Sequence, residues 1–295
     1  MEKDYWAIII SAIIFGLIIP GGQFFFNLGF SLYEVSTYSL LFIFVLTIPF
    51  LLFKRSIPFT KSNIVFYLVY GLIGALLQLT QFGGMIFGTP VAIVAILIYT
   101  QPIWTTIFGK IFLNEKITKN KTIAVLIAFL GTFIIISPWK ITNIGNITGT
   151  ILALFAGIFL SLWVILARKT AINKEHYINT LSAYSLFSLL WLLAFFPILN
   201  RLIENYLVIR LSFDFPRIYL VYFLIFSFIA AFLPNSLFYK GIKKVEASEA
   251  GIILLLEPVV ASIIGFLIFS QYLNSAIFFG GGLIIISNYL AIKDR

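Results

Sequence analysis

The sequence predicts an all-α, polytopic membrane protein with ten transmembrane helices arranged as two inverted five-helix repeats. Its composition is the first reason, since 61% of the 295 residues are hydrophobic and only 11% are charged. Soluble domains carry about 25% charged residues, so the chain does not fit that class. The second reason is the recurrence of apolar runs of membrane-spanning length, and the third is the alternation of basic clusters between those runs.

Several classes of function are excluded by what the sequence lacks. The absence of cysteine excludes disulfides, thiolate metal sites and thiol nucleophiles. There is no Walker-type phosphate loop and no G-x-S-x-G motif, and Gly280–Gly282 inside the last span predicts close helix packing. The one histidine, His176, is expected to be solvated in a loop. We therefore expect no enzyme activity, no cofactor, no metal and, because the net charge of +9 is scattered, no nucleic-acid partner.

Hydrophobic windows of about 19 residues predict ten spans. The ten predicted ranges are Tyr5–Asn27, Val35–Phe53, Ile64–Gly84, Val91–Phe108, Lys121–Pro138, Thr148–Ala167, Ile178–Leu199, Ile218–Tyr239, Ala250–Phe269 and Ala276–Ile292. Most connections between them are short and polar. The longer connection Asn200–Arg217 mixes apolar and charged residues, so a short amphipathic helix is expected there in the membrane interface.

The placement of basic residues predicts the orientation of the chain. If the spans alternate in direction, most of the 20 Lys and Arg residues fall on one side of the membrane. The exceptions are Lys140, Arg201, Arg210 and Arg217. Cytoplasmic loops are enriched in Lys and Arg, so we expect a multi-pass protein of the cell membrane with both termini in the cytoplasm.

The two halves of the chain repeat one pattern. When residues 64–113 are laid on residues 220–269 without gaps, Pro102 pairs with Pro258. Five spans per half make the second copy enter from the opposite side of the membrane, so the copies are inverted, as in many secondary transporters. The predicted division is into residues 1–140 and 141–295.

The ninth predicted span carries a single carboxylate, Glu257, near the middle of Ala250–Ser270. An ionised side chain at the centre of a bilayer costs at least about 2.5 kcal/mol, so a cavity, a cation or a proton should compensate it. Pro258 follows directly and should kink the helix, as Pro102 should after Gln101 in the first half. Proline-interrupted spans at corresponding positions point to a binding site, with the two prolines as hinges.

The segments around these prolines carry a family resemblance. Thr89–Thr118 contains the polar-Pro step and then a short acidic turn, Asn114–Thr118, while Ala247–Leu273 repeats the step. Over nearly the whole chain, the sequence resembles the EamA-type branch of the drug/metabolite transporter superfamily. The resemblance implies a transporter with a central cavity, in which Tyr99 and Trp163 could stack on a substrate.

Other polar side chains inside the spans are further candidates for that cavity. Gln23 follows Pro20-Gly21-Gly22, which should break the first span, and Asn235 follows Pro234 in the eighth. The competing interpretation for such residues is helix packing, since polar side chains bond between helices in membranes. The complete set of candidate substrate-binding residues is Glu257, Gln101, Tyr99, Trp163, Gln78, Gln23 and Asn235.

These observations predict a secondary transporter for a small organic metabolite, exporting amino acids or related compounds by alternating access. Its partners would be that substrate and the lipid bilayer, and Glu257 could couple a proton to transport. A sugar, nucleotide-sugar or drug carrier of the same architecture is the first alternative, although an anionic substrate would want Lys or Arg inside a span, where none lies. The second is an integral-membrane lipid enzyme, which would need several clustered ionisable groups.

Overall fold

A computed structural model describes residues 3–55, 57–140, 146–203, 205, 208–269 and 275–293. Within those ranges the chain is helical and forms no strand, which confirms the all-α prediction. The α-helices are α1 Lys3–Phe15, α2 Ile18–Asn27, α3 Leu32–Lys54, α4 Ile64–Ile86, α5 Val91–Ile98, α6 Gln101–Leu113, α7 Lys119–Ile136, α8 Ile147–Ile172, α9 Tyr177–Leu202, α10 Ile218–Phe226, α11 Leu233–Gly241, α12 Ala247–Ile253, α13 Leu256–Phe269 and α14 Ser275–Lys293.

Ten spans of the described chain are long and apolar enough to cross a membrane, and they are the ten that the sequence predicts. Their ends agree closely with the predicted ends, except that the fourth and sixth spans continue further, to Leu113 and Ile172. Four spans are made of two helices that follow each other, namely α1–α2, α5–α6, α10–α11 and α12–α13. The arrangement as two inverted repeats stays a prediction.

The fourth and ninth spans are interrupted one turn before a proline. Proline lacks the N–H that would bond to the carbonyl four residues earlier, and its ring clashes with that carbonyl. The interruption before Pro102 therefore falls at Tyr99–Thr100, and the one before Pro258 falls at Leu254–Leu255. Short-range bonds replace the α-helical ones there, with Thr100 N donating to Leu97 O at 3.3 Å in the fourth span. Both spans are thus interrupted next to the prolines that were expected to kink them, and the role of these prolines as hinges stays a prediction.

The break in the first span lies earlier than the sequence analysis predicted. Pro20-Gly21-Gly22 continues in helix α2, and the interruption is at Gly16–Leu17. The reason is the same as in the fourth and ninth spans, because Gly16 is the residue four positions before Pro20. The prediction that the Pro-Gly-Gly step itself breaks the helix was wrong.

The eighth span contains a π-helical segment, Ser227–Phe232, between α10 and α11. It ends two residues before Pro234, so the missing N–H is accommodated by a wider turn. The Asn235 side-chain amide donates to Ala231 O at 2.8 Å. Asn235 therefore bonds to the backbone beside this distortion.

The connection between α9 and α10 differs from its predicted form. Helix α9 continues to Leu202, and the described residues 208–217 after it form no helix. They fold back over the start of α3, where the Arg210 guanidinium bonds Gly29 O and Tyr33 N donates to Val208 O. The expected amphipathic helix is absent from the described part of this connection, because its polar groups bond to the α2–α3 turn instead.

Contacts between loops define two ends of the helix bundle. At one end, Glu115 bonds the start of α12 and Arg168 donates to Ile242 O at 2.7 Å. We call this the basic end, because most lysines of the loops lie there. The opposite end, where Arg210 contacts Gly29 and Thr89 donates to Asn146 O, is called the far end.

The largest buried cluster combines side chains from α1, α3, α4, α8, α9 and α11, so it joins the first and second halves of the chain. Tyrosine hydroxyls are paired inside it. The Tyr70 hydroxyl lies 2.8 Å from that of Tyr239 and donates to Trp163 O at 3.2 Å. These hydrogen bonds satisfy tyrosine hydroxyls and a backbone carbonyl, which lipid hydrocarbon chains could not do.

Helices α7 and α14 approach each other through glycines. A Cβ added at Gly131 would lie 2.6 Å from Gly280 O, closer than packed atoms come. A Cβ at Gly281 would lie 3.3 Å from Val259, whereas one at Gly282 would meet nothing within 4 Å. The predicted packing role of the glycine triplet is confirmed for Gly280, since small residues permit this approach.

We expect Gly280→Val to destabilise the folded protein by about 1–3 kcal/mol, because the added methyls must push α7 away. Gly282→Val is the matched control, because it makes the same substitution on a face with open space. Denaturant-induced unfolding of both purified variants measures the difference. Equal loss of stability in the two would show that helix propensity, and not the approach of α7, accounts for the effect.

Candidate functional site

The two interrupted spans bring Tyr99 and Glu257 together. Tyr99 is the buried residue at the break between α5 and α6, and Glu257 is a half-buried residue in the first turn of α13. The Tyr99 hydroxyl and the Glu257 carboxyl form a polar interaction across the interface between the halves. Two residues named independently from the sequence therefore meet at one place.

The helix breaks create an electrostatic setting that suits a carboxylate. Each break starts a new helix at membrane depth, and a helix N-terminus carries a partial positive charge from its aligned peptide dipoles. Glu257 lies in the first turn of α13, where that charge favours an anionic side chain. The carboxyl is thus held by Tyr99 and the helix dipole, and none of the described Lys, Arg or His residues forms an ion pair with it.

Gln101 is placed beside this pair but inside the packing. It is 1% exposed, its amide donates to Thr105 Oγ1 at 2.5 Å, and it lies against Gly251 of α12. A Cβ at Gly251 would come within 2.8 Å of the Gln101 amide nitrogen. Gln101 therefore marks the point where the two interrupted spans cross, close to Tyr99.

Two neighbouring helices also approach the breaks through glycine. A Cβ at Gly157 of α8 would lie 2.6 Å from Leu97 O, next to the break in the fourth span. A Cβ at Gly16, at the break in the first span, would lie 2.6 Å from the Val260 side chain of α13. The first, fourth, sixth and ninth spans thus converge around the Tyr99–Glu257 pair.

Trp163 lies in the aromatic core of the bundle. Its ring stacks on Phe238 at 4.7 Å between centroids and meets the edge of Phe15 at 6.4 Å. Phe15 precedes Gly16, which contacts α13, so Trp163 is linked to the helix of Glu257 through one aromatic neighbour. The structure does not bring Trp163 into contact with Tyr99.

The remaining candidate residues are not gathered at the pair. Gln78 of α4 accepts from Ser36 Oγ at 3.2 Å, which joins α3 to α4. Gln23 is exposed towards the far end and donates to Asn27 at 2.8 Å. Asn235 bonds its own helix backbone, as described above. Of these three residues, Gln78 thus bonds between helices, whereas Gln23 and Asn235 bond within their own spans.

The structure reveals a cluster of charged residues at the basic end that sequence reasoning had not assigned to a site. Glu115, in the acidic turn after α6, accepts from the backbone N–H groups of Ala247 and Ser248 at 2.6 and 3.1 Å. It also accepts from the Ser248 hydroxyl at 2.8 Å. A carboxylate from the first half therefore caps the first turn of α12 in the second half.

Lys121 of α7 completes this cluster. Its ammonium forms an ion pair with Glu246 and lies 3.8 Å from Glu249 Oε1. The Tyr5 hydroxyl donates to Glu249 Oε2 at 2.5 Å. The Lys121 and Glu249 side chains are only 4% and 2% exposed. We call these residues, together with Glu115, the basic-end latch, because they join α1, α6 and α7 to α12.

A second ion pair joins the halves at the far end. Glu34 of α3 is fully buried, and both its oxygens accept from Arg210, at 3.0 and 2.9 Å. The hydrogen bond to Glu34 raises the pKa of Arg210. Ser212 N also donates to Glu34 at 3.0 Å. We call residues 208–217 the far-end strap; sequence reasoning missed its pairing because the partners lie on distant segments.

Family comparison agrees with this architecture. The sequence profile described as "EamA-like transporter family" matches residues 3–137 and 147–293. The chain belongs to the EamA-like transporter family. The two matched segments are separated near the predicted boundary between halves.

Curated relatives of this EamA-like protein are named as transporters. Two proteins of Archaeoglobus fulgidus, each named "Uncharacterized transporter", are 28% identical over 69% of this chain and 68% of theirs, and 22% identical over 98% and 96%. "Uncharacterized transporter YyaM" of Bacillus subtilis is 26% identical over 70% of this chain and 66% of its own. A solved structure titled "Crystal structure of protein" superposes with a TM-score of 0.80 at 11% identity, covering 99% of this chain and 98% of that one, which shows the shared fold.

Proposed function

We propose that this EamA-like transporter is a secondary transporter that exports amino acids or related small metabolites from the cell by alternating access. The observation that carries this proposal is the Glu257 carboxyl, held by Tyr99 at the break of the ninth span without a basic partner in the described chain. A carboxylate at membrane depth needs a cation or a proton to compensate its charge. A substrate ammonium group would supply that charge.

The paired helix breaks favour a zwitterionic substrate. In transporters with broken helices, the N-terminus of a half-helix attracts an anionic group of the substrate through its dipole. Helix α6 begins at Gln101, immediately after Tyr99, so its positive end opens towards the same place as Glu257. An amino acid could place its ammonium at Glu257 and its carboxylate near the start of α6.

The two ends of the bundle supply contacts that alternating access would have to change. The basic-end latch holds α12 to the first half through Glu115 and Lys121, and the far-end strap holds α3 through the Glu34–Arg210 pair. Access from one side requires the contacts at that end to part while those at the other stay closed. We infer that these two clusters are the gates.

A transport assay in liposomes tests the proposal. The purified chain would be reconstituted and its counterflow of a labelled panel measured, with amino acids, sugars, nucleotide-sugars and cationic drugs as the classes. Amino acids or related amines should be transported, and an amine-free analogue of the same size should not. Transport of sugars or nucleotide-sugars alone would replace the proposed substrate class with the alternative carrier.

In the proposed orientation, the protein lies in the cell membrane with its basic end on the cytoplasmic side. The chain has no cysteine, so single cysteines can be introduced without background labelling. Lys119→Cys and Lys174→Cys should react with an impermeant thiol reagent only after permeabilisation, whereas Asp214→Cys should react in intact cells. All three positions are exposed, so a reversed pattern would place the termini outside.

A further inference from the structure

A row of basic and aromatic groups lies at the basic end, apart from the latch. The Lys54 ammonium nitrogen is 2.9 Å from His176 Nε2, and the His176 ring lies 4.6 Å from the Tyr177 ring. The Lys240 ammonium nitrogen lies over the Tyr177 ring, 4.5 Å from its centroid. Lys243 is also close enough to act on His176 electrostatically. Residues from the ends of three spans therefore form one continuous surface.

In the His176 tautomer that caps α9, two hydrogen-bond donors face each other in this row. His176 caps α9, where its Nδ1 accepts from Ile178 N at 3.3 Å. A neutral imidazole has one donor and one acceptor nitrogen, so Nε2 carries the proton when Nδ1 accepts. Lys54 has donors only. In that tautomer the His176 Nε2–H and the Lys54 ammonium both donate, and no hydrogen bond among the described residues places an acceptor between them.

The charged groups around the row do not supply an acceptor for these two donors. Burial, together with Lys54, Lys243 and Lys240, lowers the pKa of His176, which keeps the ring neutral at pH 7. The carboxylate next in sequence, Glu175, accepts from Asn63 at 3.0 Å. In the described chain, none of the three lysines of the row forms an ion pair.

The position of the row identifies the source of an acceptor. Lys54 ends the second span, Tyr177 begins the seventh and Lys240 is next to last in the eighth. At the ends of spans, such residues are expected at the level where lipid headgroups meet the hydrocarbon, a depth that tyrosine rings and long basic side chains favour. Anionic lipids carry their phosphate at that level and attract basic clusters beside spans.

We propose that Lys54, His176 and Lys240 form a binding site for the phosphodiester of an anionic lipid. One non-bridging phosphate oxygen would accept from both the His176 Nε2–H and the Lys54 ammonium, and the Lys240 ammonium, over Tyr177, would donate to the second. The site depends on the basic end facing a leaflet that contains anionic lipid. It is separate from the Tyr99–Glu257 pair and does not depend on what is transported.

The single histidine of the chain gives a direct readout. The full chain, prepared without a histidine tag and labelled at histidine, would give one imidazole signal by NMR, in nanodiscs of phosphatidylcholine with or without phosphatidylglycerol. A phosphodiester beside the ring favours its charged form, so the pKa of His176 should rise by about 1 when phosphatidylglycerol is added. Lys54→Gln and Lys240→Gln should lose most of this lipid-dependent rise.

Lys119→Gln is the matched control, because it removes one exposed lysine from the same end of the bundle but away from the row. It should keep the full rise. An equal rise in all variants would show that only the surface potential of the bilayer acts, and the site would be rejected. No rise in the wild-type chain would also reject it, and an equal rise with inorganic phosphate in phosphatidylcholine would reject lipid as the ligand.

Discussion

Glu257→Gln is expected to fold and insert normally but to lose transport of an amino acid substrate by tenfold or more. The substitution keeps the size and hydrogen-bonding capacity of the side chain, so the interaction with Tyr99 can persist. It removes the charge that would bind a substrate ammonium, and a hydrogen bond to a charged group contributes about 1.5–3 kcal/mol. Initial rates of counterflow in liposomes, measured between pH 5 and 8, would show the loss.

The pH profile distinguishes two roles of the carboxyl. If Glu257 takes up a proton during the cycle, residual transport by the Gln variant should no longer depend on pH over the range in which wild-type transport does. If it binds only the ammonium, the pH profile should survive at a lower rate. Normal rates with an unchanged profile would mean that Glu257 serves helix packing alone, and the proposed site would have to be abandoned.

Ser262→Ala provides the matched control for this experiment. Ser262 lies on the same helix, and its hydroxyl donates to the Pro258 carbonyl at 2.7 Å. Such a bond within one helix contributes little to substrate recognition, so the variant should transport at the wild-type rate. A loss of transport equal to that of Glu257→Gln would indicate that any polar change in α13 disturbs the helix.

The sequence predicted the spans and their breaks because both depend on local chemistry. A run of apolar residues as long as the bilayer is thick predicts a span whatever its neighbours are. A proline disrupts the bond to the residue four positions earlier, which accounts for the breaks before Pro102 and Pro258. Applying the same rule to Pro20 would have placed the first break at Gly16, where the structure has it.

The candidate site could be predicted only in part. Glu257 and Tyr99 were both named, the first because its charge is isolated and the second from the family resemblance, but their contact depends on how two spans cross. Gln101 looked like a cavity residue in the same pattern, yet the close approach of Gly251 places it inside the packing. The helical periodicity of a sequence shows which residues share one face of a helix, but it does not give the distance from that face to the neighbouring helix.

The charged clusters at the two ends were missed for a related reason. Glu34 and Arg210, or Lys121 and Glu249, lie far apart in the sequence, and each residue alone resembles an ordinary charge at the end of a span. One of these charged residues did carry a signal in the sequence. Glu115 belongs to the acidic turn of the family resemblance, and the structure gives that turn a physical role as the cap of α12.

Lys121→Met is expected to destabilise the protein by about 3–5 kcal/mol, the cost of leaving a buried charge without its partner. Glu249 would lose the ammonium 3.8 Å away while keeping the Tyr5 hydroxyl, and Glu246 would lose its ion pair. Denaturant-induced unfolding of the purified variant would measure the loss. Lys119→Met is the matched control, since Lys119 is exposed on the first turn of the same helix.

A second substitution tests whether the loss comes from charge. Lys121→Met combined with Glu249→Gln removes the buried carboxylate that the first change leaves without its cation, so the double variant should recover part of the stability. Recovery would also allow the effect on the latch to be measured in a folded protein, because the double variant should stay folded while α12 is held less firmly. A cysteine at Ser248 should then react faster with a thiol reagent from the basic end. If Lys121→Met and Lys119→Met lose the same stability, the latch contributes no more than any surface lysine, and gating by this cluster would be refuted.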